Sequence, residues 1–179
     1  MYPEITVNLG NLFLSMSDAL DLASDSLALH QQRTALLAWE MARAAGLPRE
    51  RQAKIFVAAL LHDIGALSLE EKLELHRGQT GDIDCHCIRG AQLFEEVELL
   101  AGAAPLVRHH HKTRASWGPN LDRVGFDAQI ILLADTVERA INREKYILHQ
   151  DRHIKRRIKA LAGDELDTGL VDLFMEISE

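Results

Sequence analysis

Two cysteines, Cys85 and Cys87, are all the chain has, and only His86 separates them. Residues this close make a poor structural disulfide, and one pair is no framework for a fold. No second Cys pair exists to complete a zinc site. The two therefore read as small, partly buried neighbours of a functional histidine rather than as a metal clip. Basic charge is also in short supply, since 20 Lys and Arg against 27 Asp and Glu leave a net charge of −7. That balance gives no footprint for duplex nucleic acid, and a small anionic ligand would need metals or a local cluster of cations to hold it. Long apolar runs are missing too. Nothing reaches the length of a membrane span, and the N-terminus lacks the charged start and long apolar core of a signal peptide. A cytoplasmic setting is the expectation.

What is present is ordinary for a globular protein: 47% hydrophobic and 26% charged residues in a chain of 179, enough for one domain with a sizeable core. Apolar residues recur at helical spacing in 11–23 and 26–45, with Gly46 placed as a C-terminal cap. Pro48 suits the first turn of a helix running to about Gly65, and Ser68-Leu69-Glu70-Glu71 fits a capping box. Residues 77–84 read as a loop that delivers His86 to the start of another helix. A helix after Pro105 holds His109-His110-His111, residues 115–125 break the pattern, and helices follow over 126–143, 150–162 and 165–178. Strand-like alternation is absent beyond a few residues, so the predicted fold class is all-α.

The chemistry-bearing stretch is Leu60-Leu61-His62-Asp63-Ile64-Gly65-Ala66. An ionised Asp closing an apolar helix costs several kcal/mol unless it is paired, solvated or bound to a metal. His30, His86, His110, His111 and Asp135 stand at intervals that helices could fold around it. Imidazoles and carboxylates are the usual ligands of transition metals, and a carboxylate can bridge two ions. Asp63 is the natural bridge. His110 and His111 are adjacent, so on a regular helix they point about 100° apart and share an ion only over the helix end. Asp135 lies in the apolar run Ile130–Val137, where pairing with Arg139 one turn later would explain it without a metal. His109 faces away from an ion bound by its two successors, and His76, His149 and His153 read as solvated surface residues.

These residues resemble the HD superfamily of metal-dependent phosphohydrolases, and within it the HD-GYP branch. The resemblance runs over about 26–146, leaving 1–25 as an N-terminal extension with a helix and 147–179 as C-terminal helices packing on the same domain. It rests on His30 with Arg33 and Ala35, LLHDIG at 60–65, and His86 with Ile88 and Gly90-Ala91. Pro105-Leu106-Val107-Arg108 leading into His110-His111 follows, then ILLAD ending at Asp135, with Arg143 and Tyr146 beyond. By resemblance, His30, His62, Asp63 and Asp135 hold one divalent ion. His86, His110 and His111, with Asp63 bridging, hold a second. Iron or manganese is implied first, with zinc, nickel, cobalt or magnesium as alternatives. Asp63 and His62 are then catalytic residues, and a metal-bridged hydroxide attacks the phosphorus of a cyclic dinucleotide such as cyclic di-GMP.

Several positions depart from the branch. Ala66 stands where it carries Lys, Lys112 replaces the Glu after the paired histidines, and Ala115-Ser116-Trp117-Gly118-Pro119-Asn120 is no clean GYP loop. Ser26, four residues before His30, stands where members with a third ion carry Glu. Substrate contacts would then fall to Lys112, Arg114, Arg143 or Lys145. Two other readings stay open: a metal-holding signalling or scaffold module without turnover, and a phosphohydrolase of nucleotides or phosphomonoesters. A homodimer, or membership of a longer signalling protein, is a further expectation.

Overall fold

The helices begin where short polar side chains satisfy the first backbone N–H groups. In the computed structural model, which describes residues 6–22, 24, 27–77 and 83–178, Asn8 caps α1 (Leu9–Asp21) and Ser68 caps α4 (Leu69–His76). Asp122 caps α8 (Arg123–Ala140) and Asp167 caps α10 (Thr168–Ile177). Each such cap contributes about 1 kcal/mol. Between them run α2 (His30–Ala44), α3 (Arg49–Leu60), α5 (Ile83–Glu95), α6 (Glu98–Ala101), α7 (Ala104–His109) and α9 (Asp151–Ala160). Among the described residues there is no strand, only an isolated bridge between Ala162 and Leu166. The fold is all-α, as expected. The start at Met1–Ile5, the Ser26 position and most of the expected 77–84 loop lie outside the described residues.

The core forms where α2 packs against α3 and α8. Ala35, Ala38 and Ala42 of α2 and Ala58 and Ala59 of α3 are fully buried, and such small side chains let helix axes approach closely. Ile130, Ile131, Leu133 and Ala134 of α8 are equally inaccessible. Helix α10 closes the core with Leu170, Val171 and Phe174, packing on both α2 and α8.

Several helix ends differ from the sequence expectation, among them the start of α2 at His30 and the end of α8 at Ala140, and three have a clear local reason. Helix α3 stops at Leu60, not near Gly65, because the His62 Nδ1–H donates to the Ala59 carbonyl at 2.8 Å and the chain turns there. Helix α7 stops at His109, because the His110 ring makes the same bond to the Val107 carbonyl at 2.6 Å. Helix α8 starts at Arg123 rather than 126, because Asp122 supplies its cap. Gly125, expected as a breaker, lies inside its first turn, where a Cβ would come within 2.9 Å of the Trp117 ring.

Candidate metal centre

Helix α8 is buried almost without interruption from Asp127 to Glu138, so each polar side chain in that span needs a partner. Asp127 pairs with Arg51. Gln129 bonds the backbone of Lys112, Glu165 and Asp167. Thr136 donates to the Leu132 carbonyl at 2.7 Å. That leaves Asp135 and Glu138, three residues apart and on one face. One oxygen of Asp135 meets Arg139 at 2.9 Å, as the metal-free explanation required. The other, Oδ1, lies 3.4 Å from His30 Nε2 and has no hydrogen-bond partner. Asp135 is thus paired with Arg139 through one oxygen, while the other faces the His30 ring without a hydrogen-bond partner.

His30 is the first residue of α2, and the residue before it, Leu29, is held in the left-handed region at φ 60° with no side-chain cap. The cap comes from elsewhere, as Asp21 at the end of α1 accepts the Gln31 N–H at 3.2 Å. The His30 ring donates from Nδ1 to Glu138 at 2.6 Å, which turns Nε2 toward Asp63 and Asp135. The bonds from His62 and His110 to carbonyls behind them have the same effect, turning each Nε2 inward.

Asp63 is shared between two sets of donors. Its Oδ2 lies 3.3 Å from His62 Nε2 and 3.9 Å from His30 Nε2. Its Oδ1 lies 3.5 Å from His86 Nε2 and 3.7 Å from His110 Nε2, and those two nitrogens are 3.3 Å apart. Donors sharing an ion through bonds of about 2.1 Å sit about 3–3.5 Å apart, so both sets are close to ligating geometry. His111 joins the second set, its ring centroid 4.2 Å from that of His110. Among the described residues, seven buried polar atoms around the centre have no hydrogen-bond partner, four of them on the expected ligands: Asp63 Oδ1, Asp135 Oδ1, His86 Nδ1 and His111 Nε2. Orphaned buried donors and acceptors are rare, and a group of them among imidazoles and carboxylates fits divalent transition ions. The seven residues expected as ligands thus converge on one place.

The charges agree. Burial alone would push Asp63 up, but the His62 and His110 rings outweigh it and hold the carboxyl well below its ordinary value. Asp135 behaves likewise, with Arg139 and His30 overcoming burial. Burial and the His110 ring hold His111 well below its usual value, so it is neutral and able to ligate. For Cys87 burial is overcome by His110 and His86, which bring the thiol down to about 6. Both cysteines are free. Cys87 Sγ lies 3.6 Å from His86 Nε2, but it joins no ligand group among the described residues.

Three supporting residues carry no clear signal in the sequence. Glu138 is fully buried and holds His30, Arg33 and Arg143 together. With both oxygens committed it orients His30 and is a poor ligand itself. Its one signal is its spacing from Asp135 inside an apolar run. Gln31 donates to Asp63 Oδ2 at 3.3 Å. His76, expected as solvated, is half-buried with its ring edge-on to His30 at 5.3 Å, because the end of α1 and the α4 helix close over that side. The residues expected to meet substrate are dispersed. Arg143 is taken by Glu138. Arg114 binds Asp167 and the carbonyls of Gly118 and Pro119. Lys145 is exposed in the turn after α8. Only Lys112, its ammonium 3.9 Å over the Trp117 ring, borders an open cleft with His111. His109 faces Trp117.

Two results are expected from these contacts. Glu138→Gln keeps the shape but weakens the hold on His30. Outer partners of this kind are worth 10–100-fold in metal affinity, and chelator competition is expected to show a loss of about that size. Burial, then the His30 charge, push His76 down to about 4 from 6.5. As pH falls from 6.5 toward 4, the unfolded chain binds a proton that the folded chain refuses, so stability declines across that window. His76→Gln is expected to flatten that decline, read by urea unfolding of chelator-treated protein at about pH 7 and about pH 5. An unchanged slope would remove His76 from the account.

The chain is similar in sequence to known proteins. The chain is 29% identical over 141 residues to 3'3'-cGAMP-specific phosphodiesterase 1 of Vibrio cholerae serotype O1 (strain ATCC 39315 / El Tor Inaba N16961), a match covering 75% of this chain and 32% of that protein. The chain therefore spans about a third of that relative's length. Among the described residues no helix is long and apolar enough to cross a membrane. The model of the HD domain matches residues 27–140, which takes in every one of the converging histidines and aspartates, and the chain belongs to that family.

Proposed function

We propose that this chain is a metal-dependent phosphodiesterase of HD-GYP type acting on a cyclic dinucleotide. One observation carries the reading: the two oxygens of Asp63 face different histidine sets. His30, His62, Asp63 and Asp135 would hold one divalent ion, and Asp63, His86, His110 and His111 the other. Two such ions supply Lewis acidity to the oxygens of a phosphodiester. The chain's own contribution is to fix the donors. Glu138 orients His30, backbone carbonyls orient His62 and His110, and Gln31 steadies Asp63. A relative named for 3'3'-cGAMP supports a cyclic dinucleotide as the substrate class. Ala66, buried where the branch carries Lys, leaves no cation at that position, which favours an altered pocket over an unaltered one.

The test starts with elemental analysis of protein purified without chelator and with oxygen limited. About two ions of iron or manganese per chain are expected, with hydrolysis of 3'3'-cGAMP or cyclic di-GMP exceeding that of nucleotides and phosphomonoesters. A fully metallated chain inactive on every phosphate ester would sink the hydrolase reading and leave a metal-holding signalling module.

A further inference from the structure

Two cavities border the cluster of donors among the described residues, and the larger has room for a nucleotide. On the first, Leu20 and Asp21 from α1 meet Lys72, Leu75 and His76 from α4, leaving ≈ 10 Å³, space for about one water. Three bonds fasten that closure. Lys72 Nζ donates to the Leu20 carbonyl at 3.0 Å, Gln32 Nε2 donates to Asp18, and the Gln31 N–H donates to Asp21. A carboxylate at this mouth also repels an anionic ligand.

On the second side a cleft of ≈ 340 Å³ opens between the start of α5 and the turn after α7. His111 lines both sides, so the cleft borders the donor cluster through that ring. Its volume is at the lower end of ligand pockets and matches one nucleotide half of a dinucleotide. Arg108 and Lys112 stand on its wall, opposite the single acid Asp84. Arg108 is only loosely engaged, 3.6 Å from Glu95. Lys112 is kept in place by its stacking on Trp117, and its carbonyl is bonded by Gln129. A guanidinium fork and an ammonium are phosphate-binding groups, while Asp84 and Ser116 offer the acceptor and donor that a nucleobase edge needs.

Resting on the phosphodiesterase reading above, we propose that this cleft seats the nucleotide half of the substrate that is not being cleaved, with Arg108 and Lys112 pairing with its phosphate. Substrate then approaches from the α5–α7 side, and the end of α1 is a seal rather than an entrance.

The test measures the dissociation constant of 3'3'-cGAMP on the manganese-loaded chain by rapid filtration. Hydrolysis of bis(p-nitrophenyl) phosphate by the unaltered chain is followed in parallel. Arg108→Ala with Lys112→Ala is expected to weaken binding at least about tenfold, as loss of charge-assisted contacts requires, with manganese content retained. Lys159→Ala, an equal change of charge on the exposed face of α9, is expected to shift binding less than about twofold. If the double variant loses its metal or its fold, Lys112→Ala alone is the deciding variant. Unaltered affinity in the cleft variants overturns the proposal, and so does failure of the unaltered chain to bind the dinucleotide. Failure to hydrolyse the small ester instead counts against the phosphodiesterase reading, so the two losses are separable.

Discussion

Asp63→Ala is expected to empty both halves of the centre at once. Its two oxygens meet His62 and His30 on one side and His86 and His110 on the other, so one substitution removes charge from both sets. Even partners that only orient a ligand are worth 10–100-fold in metal affinity, and a shared ligand exceeds that. Elemental analysis is expected to fall from about two ions per chain toward none, and phosphodiester hydrolysis by at least about a thousandfold. Thermal melts add a second reading. Metal at about 100 times its dissociation constant stabilises the unaltered chain by about 2.7 kcal/mol, and the variant is expected to gain almost nothing from the same addition. An Asp63→Ala chain that keeps its full metal content would refute the bridging role.

Gly65→Ala is the second large effect, and its cause is steric. A Cβ on Gly65 would stand 2.0 Å from the His86 carbonyl oxygen and 2.5 Å from the Gly90 nitrogen. Both obstacles are backbone of α5, so neither can swing aside. The two segments are further tied by Arg89, whose Nε donates to the Gly65 carbonyl at 2.8 Å. Overpacking of this kind costs about 3 kcal/mol or more, which for a domain of this size lowers Tm by about 6–12 °C. Pushing α5 away also shifts His86, so metal content is expected to drop with Tm. Gly90→Ala is the comparison. There the nearest obstacle is a Val107 methyl at 2.9 Å, which can rotate, and a smaller shift of about 1 kcal/mol is expected. A Gly65→Ala melt within about 2 °C of the unaltered chain would contradict the close approach.

How much of the fold and the centre is legible in the sequence depends on whether a residue breaks its local pattern. His62-Asp63 and Asp135 interrupt apolar runs, and a carboxylate there demands a partner on chemical grounds alone. Most helices are legible because their apolar spacing and caps agree. Helix ends are less so, since His62 and His110 stop α3 and α7 with their own rings, and no residue-type rule marks that. Glu138 is hidden because Glu138-Arg139-Ala140 looks like the solvated end of a helix, while the fold buries it among Arg33, Arg143 and His30. His76 is misleading because Glu74-Leu75-His76 is polar locally, and only the arrival of α1 from about fifty residues upstream covers it. Arg114 shows the converse: a basic residue near the site whose guanidinium serves a loop.

The donors come from the start of α2, the turn after α3, the body of α5, the turn after α7 and the middle of α8, and His30 meets Glu138 across 108 positions of chain. Contacts of such long range close late, after the helices have found one another. Metal bound to them acts on the finished structure and hardly at all on the folding barrier. Refolding is then expected to be as fast without metal as with it, and unfolding slower. In a cell the ions would express themselves as endurance, a longer half-life of each folded copy against proteases, even where no substrate is at hand.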